Sequence, residues 1–262
     1  MGGSDGAILE VRGLTKAYGA KPWFGRDRRL VAVEAASLVM RRGEALGIVG
    51  ESGSGKSTLG RMLVGLLAPD EGEILLDGRA VDAGKRKVRS RLGVAAQFVF
   101  QDAASAFNPR KTIAASVGAP LSSLGGAKRA DKVAALLDQV GLSAAQGERK
   151  PHEVSGGQLQ RAGIARALAA GPRVLVLDEP VSALDVSVQA QIIALLRDLR
   201  ATRDLAMVFV SHDLAVVEAL CDRVIVMQAG RIVEEGAARS VLSAPREPYT
   251  RSLVAAARGE AA

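Results

Sequence analysis

Short uninterrupted apolar runs alternate with helical periodicity along this chain. "ALGIVG" (45–50), "RVLVLDEP" (173–180) and "LAMVFVSHD" (205–213) are apolar at successive positions and stop at glycine or at charge. The first has the pattern of a strand buried on both faces, the second is again a buried strand, and the third is a strand. "AILEVRGLTKAY" (7–18) and "RLVAVEAASLVMRRGE" (29–44) are predicted as strands bounded by turn residues. "GEILLDGRAV" (72–81) predicts a strand ending in an Asp-Gly turn, "VAAQFVFQD" (94–102) another strand, and "RVIVMQAGRIVEEG" (223–236) a hairpin.

Between these runs the period changes. "STLGRMLVGLL" (57–67) and "QLQRAGIARALAA" (158–170) have helical spacing. Val133, Leu136, Leu137 and Val140 fall at i, i+3, i+4 and i+7, one face of an amphipathic helix that Gly141 is placed to stop. "SVQAQIIALLRDLR" (187–200) puts Ile192, Leu195, Leu196 and Leu199 on one side. Strands alternating with helices predict an α/β protein. Residues from about 103 to 165 are expected to form a mostly helical insertion in a single domain spanning 1–262. A short C-terminal extension is expected over about 236–262, and its tail "SAPREPYTRSLVAAARGEAA" (243–262) is expected to be a turn followed by a helix.

Composition narrows the partners. Hydrophobic residues make up 48% of the 262 and aromatics only 3%, so the core must be built of Ala, Val, Leu and Ile. The few aromatics argue against stacking platforms for single-stranded nucleic acid. A formal net charge of +7 suits phosphate-bearing partners without choosing among them. The basic run "GKRKVRSRLG" (84–93) reads as a solvated helix face, or as a contact with lipid phosphates or nucleic acid. One cysteine excludes an internal disulfide, and Cys221 reads as a small core hydrophobe. Two histidines argue against a histidine metal site. The acidic, glycine-rich start does not resemble a signal peptide, and no apolar run reaches the ~18 residues of a membrane span.

Three stretches carry chemistry. The first runs from Gly50 through Glu51, Ser52, Gly53, Ser54, Gly55, Lys56 and Ser57 to Thr58. It fits G-x-x-x-x-G-K-[ST], with an apolar strand before it and a helix after, a context that a chance glycine-rich turn lacks. Glycines let successive N–H groups curl around phosphate oxygens, and the helix adds its positive end. Lys56 is placed to reach the β and γ phosphates, and the Ser57 hydroxyl to ligate Mg²⁺. The second is the end of "VLVLDEP", where Asp178 is placed to hold the Mg²⁺ shell and Glu179 to accept a proton from an attacking water. Lys56 and Asp178 lie 122 residues apart, far more than a simple βαβ crossover needs. The third is "VSGGQLQR" (154–161), where Ser155, Gly156 and Gly157 are expected to offer free N–H groups at a helix start.

The ordered set of phosphate loop, "SGGQ", "LVLDEPVSALD" and "SHD" resembles the ATP-binding cassette (ABC) ATPases over nearly the whole chain. The resemblance implies a P-loop NTPase core with an antiparallel β subdomain and an inserted α-helical subdomain, and the cofactors ATP and Mg²⁺. By the same resemblance Tyr18 matches the aromatic that stacks on adenine. Gln101 matches the glutamine that senses Mg²⁺ and the attacking water. Ser155, Gly156, Gly157 and Gln158 match the signature, Asp185 the loop that crosses the dimer interface, and His212 the switch histidine on the γ-phosphate. His152 has no match and is expected at the surface. In this family two ATPase subunits close head to tail, with ATP between the phosphate loop of one and the signature helix of the other.

"VFQDAASAFNPRKTI" and "APREPYTRSLVAA" are similar to the oligopeptide/dipeptide importer group. Ala103 stands where that group has proline, Phe107 where it has leucine, Val154 where leucine is commonest in the signature, and Glu247 where histidine precedes Pro-Tyr-Thr. The loop 19–30 fits the second ATPase subunit of such importers. Membership implies two transmembrane permease subunits, a sister ATPase or a second copy as dimer partner, and a solute-binding protein acting indirectly. The site of work is then the cytoplasmic face of the cell membrane. Transport of nickel complexes or other small solutes stays open. So does a soluble cassette ATPase acting on nucleic acid or ribosomes, although no nucleic-acid partner is expected.

Overall fold

The computed structural model describes residues 6–19, 29–81 and 86–259, with the side chains of 86–90 left aside. Most of the loop 19–30 therefore lies outside the described residues, as do Lys85 and the side chains of the basic run that follows it. In chain order the strands are β1 (Ala7–Tyr18), β2 (Leu30–Arg41), β3 (Ala45–Val49), β4 (Glu71–Leu76), β5 (Arg79–Val81), β6 (Ala96–Val99), β7 (Val174–Asp178), β8 (Ala206–Val210), β9 (Arg223–Gln228) and β10 (Arg231–Ala237). The helices are α1 (Lys56–Leu63), α2 (Arg86–Ala95), α3 (Ile113–Val117), α4 (Gly126–Gln139), α5 (Ala144–Gly147), α6 (Gly156–Ala169), α7 (Val186–Arg203), α8 (Leu214–Leu220), α9 (Ala238–Ser243) and α10 (Pro248–Arg258).

The chain divides into two units, one running to Gly93 and resuming at Ala206, the other spanning Val94–Leu205. The first unit contains an antiparallel sheet of order β2-β1-β4-β5. It also holds the parallel trio β8-β3-β9, in which Ala45 pairs with Met207 and Leu46 with Arg223, and β10 extends it antiparallel to β9. Every residue of β3 and β8 is buried, which is why both read as unbroken apolar runs. Helix α8 packs on β3 closely enough that a Cβ on Gly47 would lie 2.5 Å from Val217 Cγ1. Cys221 is buried, as expected.

In the second unit β6 and β7 run parallel, Ala96 opposite Val174, and β7 is buried along its whole length. Between these two strands the chain forms α3, α4, α5, α6 and short 3-10 turns. Helix α4 buries Val133, Leu136 and Leu137 as its periodicity predicts, and Gly141 turns the chain at φ 72°. Arg166 on α6 donates to the Ala106 carbonyl and lies 5.4 Å from the centre of the Phe107 ring. That cation–π contact gives the phenylalanine a use that leucine could not supply. Burial holds the Arg166 guanidinium below the usual arginine range.

Three expectations need correction. Helix α1 stops at Leu63 rather than running to Leu67, because Gly65 takes φ 72° and the N–H groups of Leu66 and Leu67 turn back to the Arg61 carbonyl. The strand expected over 94–102 is only Ala96–Val99, since Val94 and Ala95 complete α2. A short apolar run does not by itself tell a strand from a helix end. Leu195 is half-exposed, and the buried side of α7 is Ile192, Leu196 and Leu199.

Candidate functional site

The glycine-rich loop joins the end of β3 to α1, and its shape is enforced by contacts. Gly50 (φ 148°) and Gly55 (φ 102°) occupy backbone regions that suit only glycine. A Cβ at Gly50 would sit 2.2 Å from the Met227 carbonyl oxygen, and one at Gly55 2.1 Å from that of Ala32. Lys56 is buried, yet its ammonium is satisfied by the loop itself. It donates to the Gly50 carbonyl at 2.8 Å and the Glu51 carbonyl at 2.7 Å. The ammonium is thus aimed into the loop before any ligand is considered, which lowers the ordering cost of gripping an anion. Gly230, in the β9–β10 turn, donates its N–H to the Ser54 carbonyl at 3.0 Å. Glu51 donates its own N–H to the Tyr249 hydroxyl at 3.0 Å.

Other expected residues of this unit are presented at strand ends. Tyr18 closes β1 and is 42% exposed. His212 is exposed in the turn between β8 and α8. That turn is rigid: the buried Ser211 Oγ accepts the Asp213 N–H at 2.9 Å, and the Asp213 carboxylate caps α8 through Ala215 and Val216.

In the second unit β7 ends at Asp178, a carboxylate only 4% exposed. Glu179 follows in the left-handed region at φ 47°. A non-glycine residue there carries strain on the order of 1–2 kcal/mol. The turn swings the half-buried Glu179 carboxylate toward Gln101, whose amide nitrogen donates to Oε2 at 2.7 Å. Ser182 joins the same group: its hydroxyl donates to the Glu179 carbonyl at 3.2 Å and lies 3.4 Å from the Gln101 amide. Asp185 caps α7, accepting the Val188 N–H at 3.0 Å and the Ser187 hydroxyl at 2.7 Å. These bonds, the Ser187 hydroxyl foremost, hold its carboxyl below the ordinary aspartate range.

The "SGGQ" stretch opens α6 as a capping box. Ser155 Oγ accepts the Gln158 N–H at 3.3 Å, and Gln158 Oε1 accepts the Ser155 N–H at 3.0 Å. The expectation that Ser155 offers a free N–H is therefore corrected: its donor is taken by the box. Gly156 and Gly157 are the first two residues of this helix, positions whose N–H groups have no acceptor within an α-helix. Their glycine character has different reasons. A Cβ on the buried Gly157 would lie 2.4 Å from Val188 Cγ1, so α7 packing demands glycine there. A Cβ on the exposed Gly156 would meet only Leu184 Cδ2, at an ordinary 3.6 Å. Packing does not account for that glycine.

Two clefts flank this helix start. One, of about 280 Å³, is lined by Ser155, Gly157, Gln158, Arg161 and Gln191. Arg161 is fixed there by the Val140 carbonyl at 2.7 Å and Gln191 at 3.1 Å, so a guanidinium stands beside the positive end of a helix. The other, of about 370 Å³, is lined by Gln101, Ala104, Gly156, Leu159, Gln160 and Pro180. His152 is exposed, as expected. Sequence reasoning missed Ser182, Gln189 and Tyr249. Gln189 donates to the Val181 and Leu184 carbonyls at 3.1 and 2.9 Å and so clamps the turn before α7. Its position four residues after the Asp185 cap was the available signal. Tyr249 had none, since its contact closes across 198 residues.

A family model described as ABC transporter matches residues 33–182. The chain is 44% identical over 252 residues to a Brucella ovis protein named "Putative peptide import ATP-binding protein", covering 95% of this chain and 78% of that one. It is 48% identical over 244 residues to a Brucella abortus protein of the same description, covering 90% and 72%. Among solved structures it resembles the ATP-binding cassette MJ0796, a dimer in a post-hydrolysis state bound to ADP and Pi. That match has a TM-score of 0.78 and 29% identity, over 88% of this chain and 99% of the other. It also resembles cbiO1 of Clostridium perfringens, part of the ABC transporter complex cbiONQ, with TM-score 0.78 and 29% identity over 91% of each. The chain belongs to the ABC transporter family and is an ATP-binding, ATP-hydrolysing member of it. Among the described residues no helix is long and apolar enough to cross a membrane.

Proposed function

We propose that this chain is the ATPase subunit of an ABC importer for oligopeptides or dipeptides, driven by ATP-dependent closure of a head-to-tail ATPase dimer. The reading is supported by two glycine-bearing helix starts in one chain, each suited to an anion. One is the lysine-bearing loop 50–58; the other is the exposed Gly156 end of α6, where an added Cβ would meet only Leu184. A chain with both is equipped to hold its own nucleotide and to meet a partner's. The γ-phosphate of that partner nucleotide would be drawn to the helix end and to Arg161.

In this reading Lys56 and the loop N–H groups of Gly50–Thr58 grip the phosphates, and Tyr18 stacks on the base. Glu179 takes the proton of the attacking water, held in aim by Gln101, while His212 meets the γ-phosphate and Asp185 crosses to the partner. Mg²⁺ would take oxygen donors from Ser57, Asp178 and Gln101. Among the described residues no cluster of three or more His, Cys, Asp or Glu could cage a metal. That suits an ion which keeps water and shares phosphate oxygens rather than filling an all-protein cage. Its chemistry is to neutralise developing phosphate charge.

The cleft beside Gln101 is the surface assigned to the permease subunits, which would hold the chain at the cytoplasmic face of the membrane. The peptide assignment is supported by the names of the Brucella relatives and by the Pro248-Tyr249-Thr250 tail. Cysteines placed at Ser155 and Ser57 test the dimer. They are expected to crosslink between protomers only when ATP is saturating. Turnover by strictly monomeric protein, with no crosslink formed, would rule the arrangement out. Co-purified permeases, and the ligand of the binding protein they recruit, test the solute.

A further inference from the structure

The phosphate loop is held from outside by the C-terminal helix. Tyr249 lies in the first turn of α10, half-buried, and its hydroxyl accepts the Glu51 N–H at 3.0 Å. That N–H belongs to the peptide group between Gly50 and Glu51. The carbonyl of the same peptide accepts the Lys56 ammonium at 2.8 Å. One peptide plane is therefore pinned at both ends, by the lysine on its oxygen and by the tyrosine on its nitrogen. A plane next to a glycine at φ 148° has little steric resistance to rotation, so pinning is what fixes it.

The tyrosine is itself well anchored. Glu234 on β10 receives the backbone N–H of Arg246 at 2.9 Å and of Glu247 at 3.2 Å, which fixes the approach to α10. Thr250 and Val254 are buried, and Arg258 donates to the Leu242 carbonyl at 3.0 Å, tying the far end of the helix to α9. Glu247 enters this network through its backbone alone, so the change from histidine at that position leaves the brace in place.

We propose that Tyr249 is a positioning residue for Lys56. Its hydroxyl orients the Gly50–Glu51 peptide so that the ammonium stays aimed into the loop, and the C-terminal extension thereby sets nucleotide affinity. The tyrosine does not touch nucleotide in this scheme; it acts through the peptide. The proposal rests on residues 50–58 being the phosphate site.

The test is Tyr249→Phe in the full chain, which keeps the ring and removes one hydroxyl, run beside Lys56→Ala. ATP affinity is read by equilibrium titration, kcat and KM by phosphate release, and stability by thermal unfolding without nucleotide. Loss of one hydrogen bond to the loop predicts an ATP dissociation constant raised roughly three- to tenfold. KM should rise while kcat at saturating ATP stays within about twofold and the thermal midpoint is unchanged. Unchanged ATP affinity in Tyr249→Phe overturns the proposal, whether or not the midpoint falls; a fall would assign the hydroxyl to stability alone. If Lys56→Ala also binds ATP normally, the phosphate-site reading fails with it. If only Lys56→Ala loses binding, that reading stands and the tyrosine inference falls alone.

Discussion

The Gln101 side-chain amide donates to the Glu179 carboxylate across 2.7 Å, and Glu179 reaches it from a left-handed backbone turn. Strain placed beside a charge-assisted hydrogen bond restricts the carboxylate to one orientation, which suits the role of base proposed for it. Replacing Glu179 by Gln keeps the shape and an acceptor oxygen for Gln101, and removes the charge and the basicity together. Turnover should fall by roughly 10²–10⁴, with ATP affinity near that of the parent and the closed dimer accumulating. Phosphate release, ATP titration and size-exclusion with ATP check the three parts. Hydrolysis at near parental rate would remove Glu179 from the role of base.

Lys56 presents a different case, because its ammonium is buried and satisfied by two loop carbonyls. Lys56→Ala removes the charge and leaves those carbonyls without their partner. ATP affinity should drop about ten- to a hundredfold, the range of a hydrogen bond to a charged group. Titration calorimetry with ATP reads this directly, and an unchanged isotherm would count against the loop as the cradle.

The Asp185 cap makes a pH-dependent contribution whose sign follows from its bonds. The Ser187 hydroxyl and the Val188 N–H hold its carboxyl below the usual value in the folded chain. The unfolded value is about 3.9. A depressed folded value stabilises the protein above the unfolded value, and that stabilisation is lost as pH falls through the folded one. Asp185→Ala should therefore unfold at lower urea than the parent at pH 7, and the gap should narrow as the pH is taken below about 4. A gap that stays constant with pH would show that the charged form adds nothing to the cap.

How much of this was readable in the chain depends on how local each feature is. The parallel strands were legible because burial on both faces removes polar alternation from β3, β7 and β8. Glycine-rich motifs were legible because phosphate chemistry fixes residue type at fixed spacing. The end of α1 and the start of β6 were not, since the apolar run continues past Gly65 in one case and begins inside a helix in the other. Ser155 illustrates a subtler loss. Its type suits both a helix cap and an anion site, and only the bond from its N–H to Gln158 shows which use that donor has. The contacts of Tyr249 with Glu51 and of Ser182 with Gln101 depend on chain closure that no spacing encodes.

The two signature glycines offer a test that separates fold from function within one tetrapeptide. At Gly157, itself buried, an added methyl would lie 2.4 Å from Cγ1 of the half-buried Val188 on α7. Overpacking of this kind costs about 1–3 kcal/mol. In a chain of this size each kcal/mol lowers the thermal midpoint by about 2–4 °C. Gly157→Ala should thus lose several degrees whether or not nucleotide is present. At Gly156 the same methyl meets only an ordinary contact with Leu184, so Gly156→Ala should keep its midpoint within about a degree. If a partner's phosphate approaches that exposed end of α6, the methyl stands in its way, and ATP-driven dimer formation and turnover should fall in Gly156→Ala despite the intact fold. Thermal unfolding and phosphate release on the two variants distinguish these outcomes. A Gly156→Ala protein that hydrolyses ATP as the parent does would leave the exposed glycine without the role assigned to it.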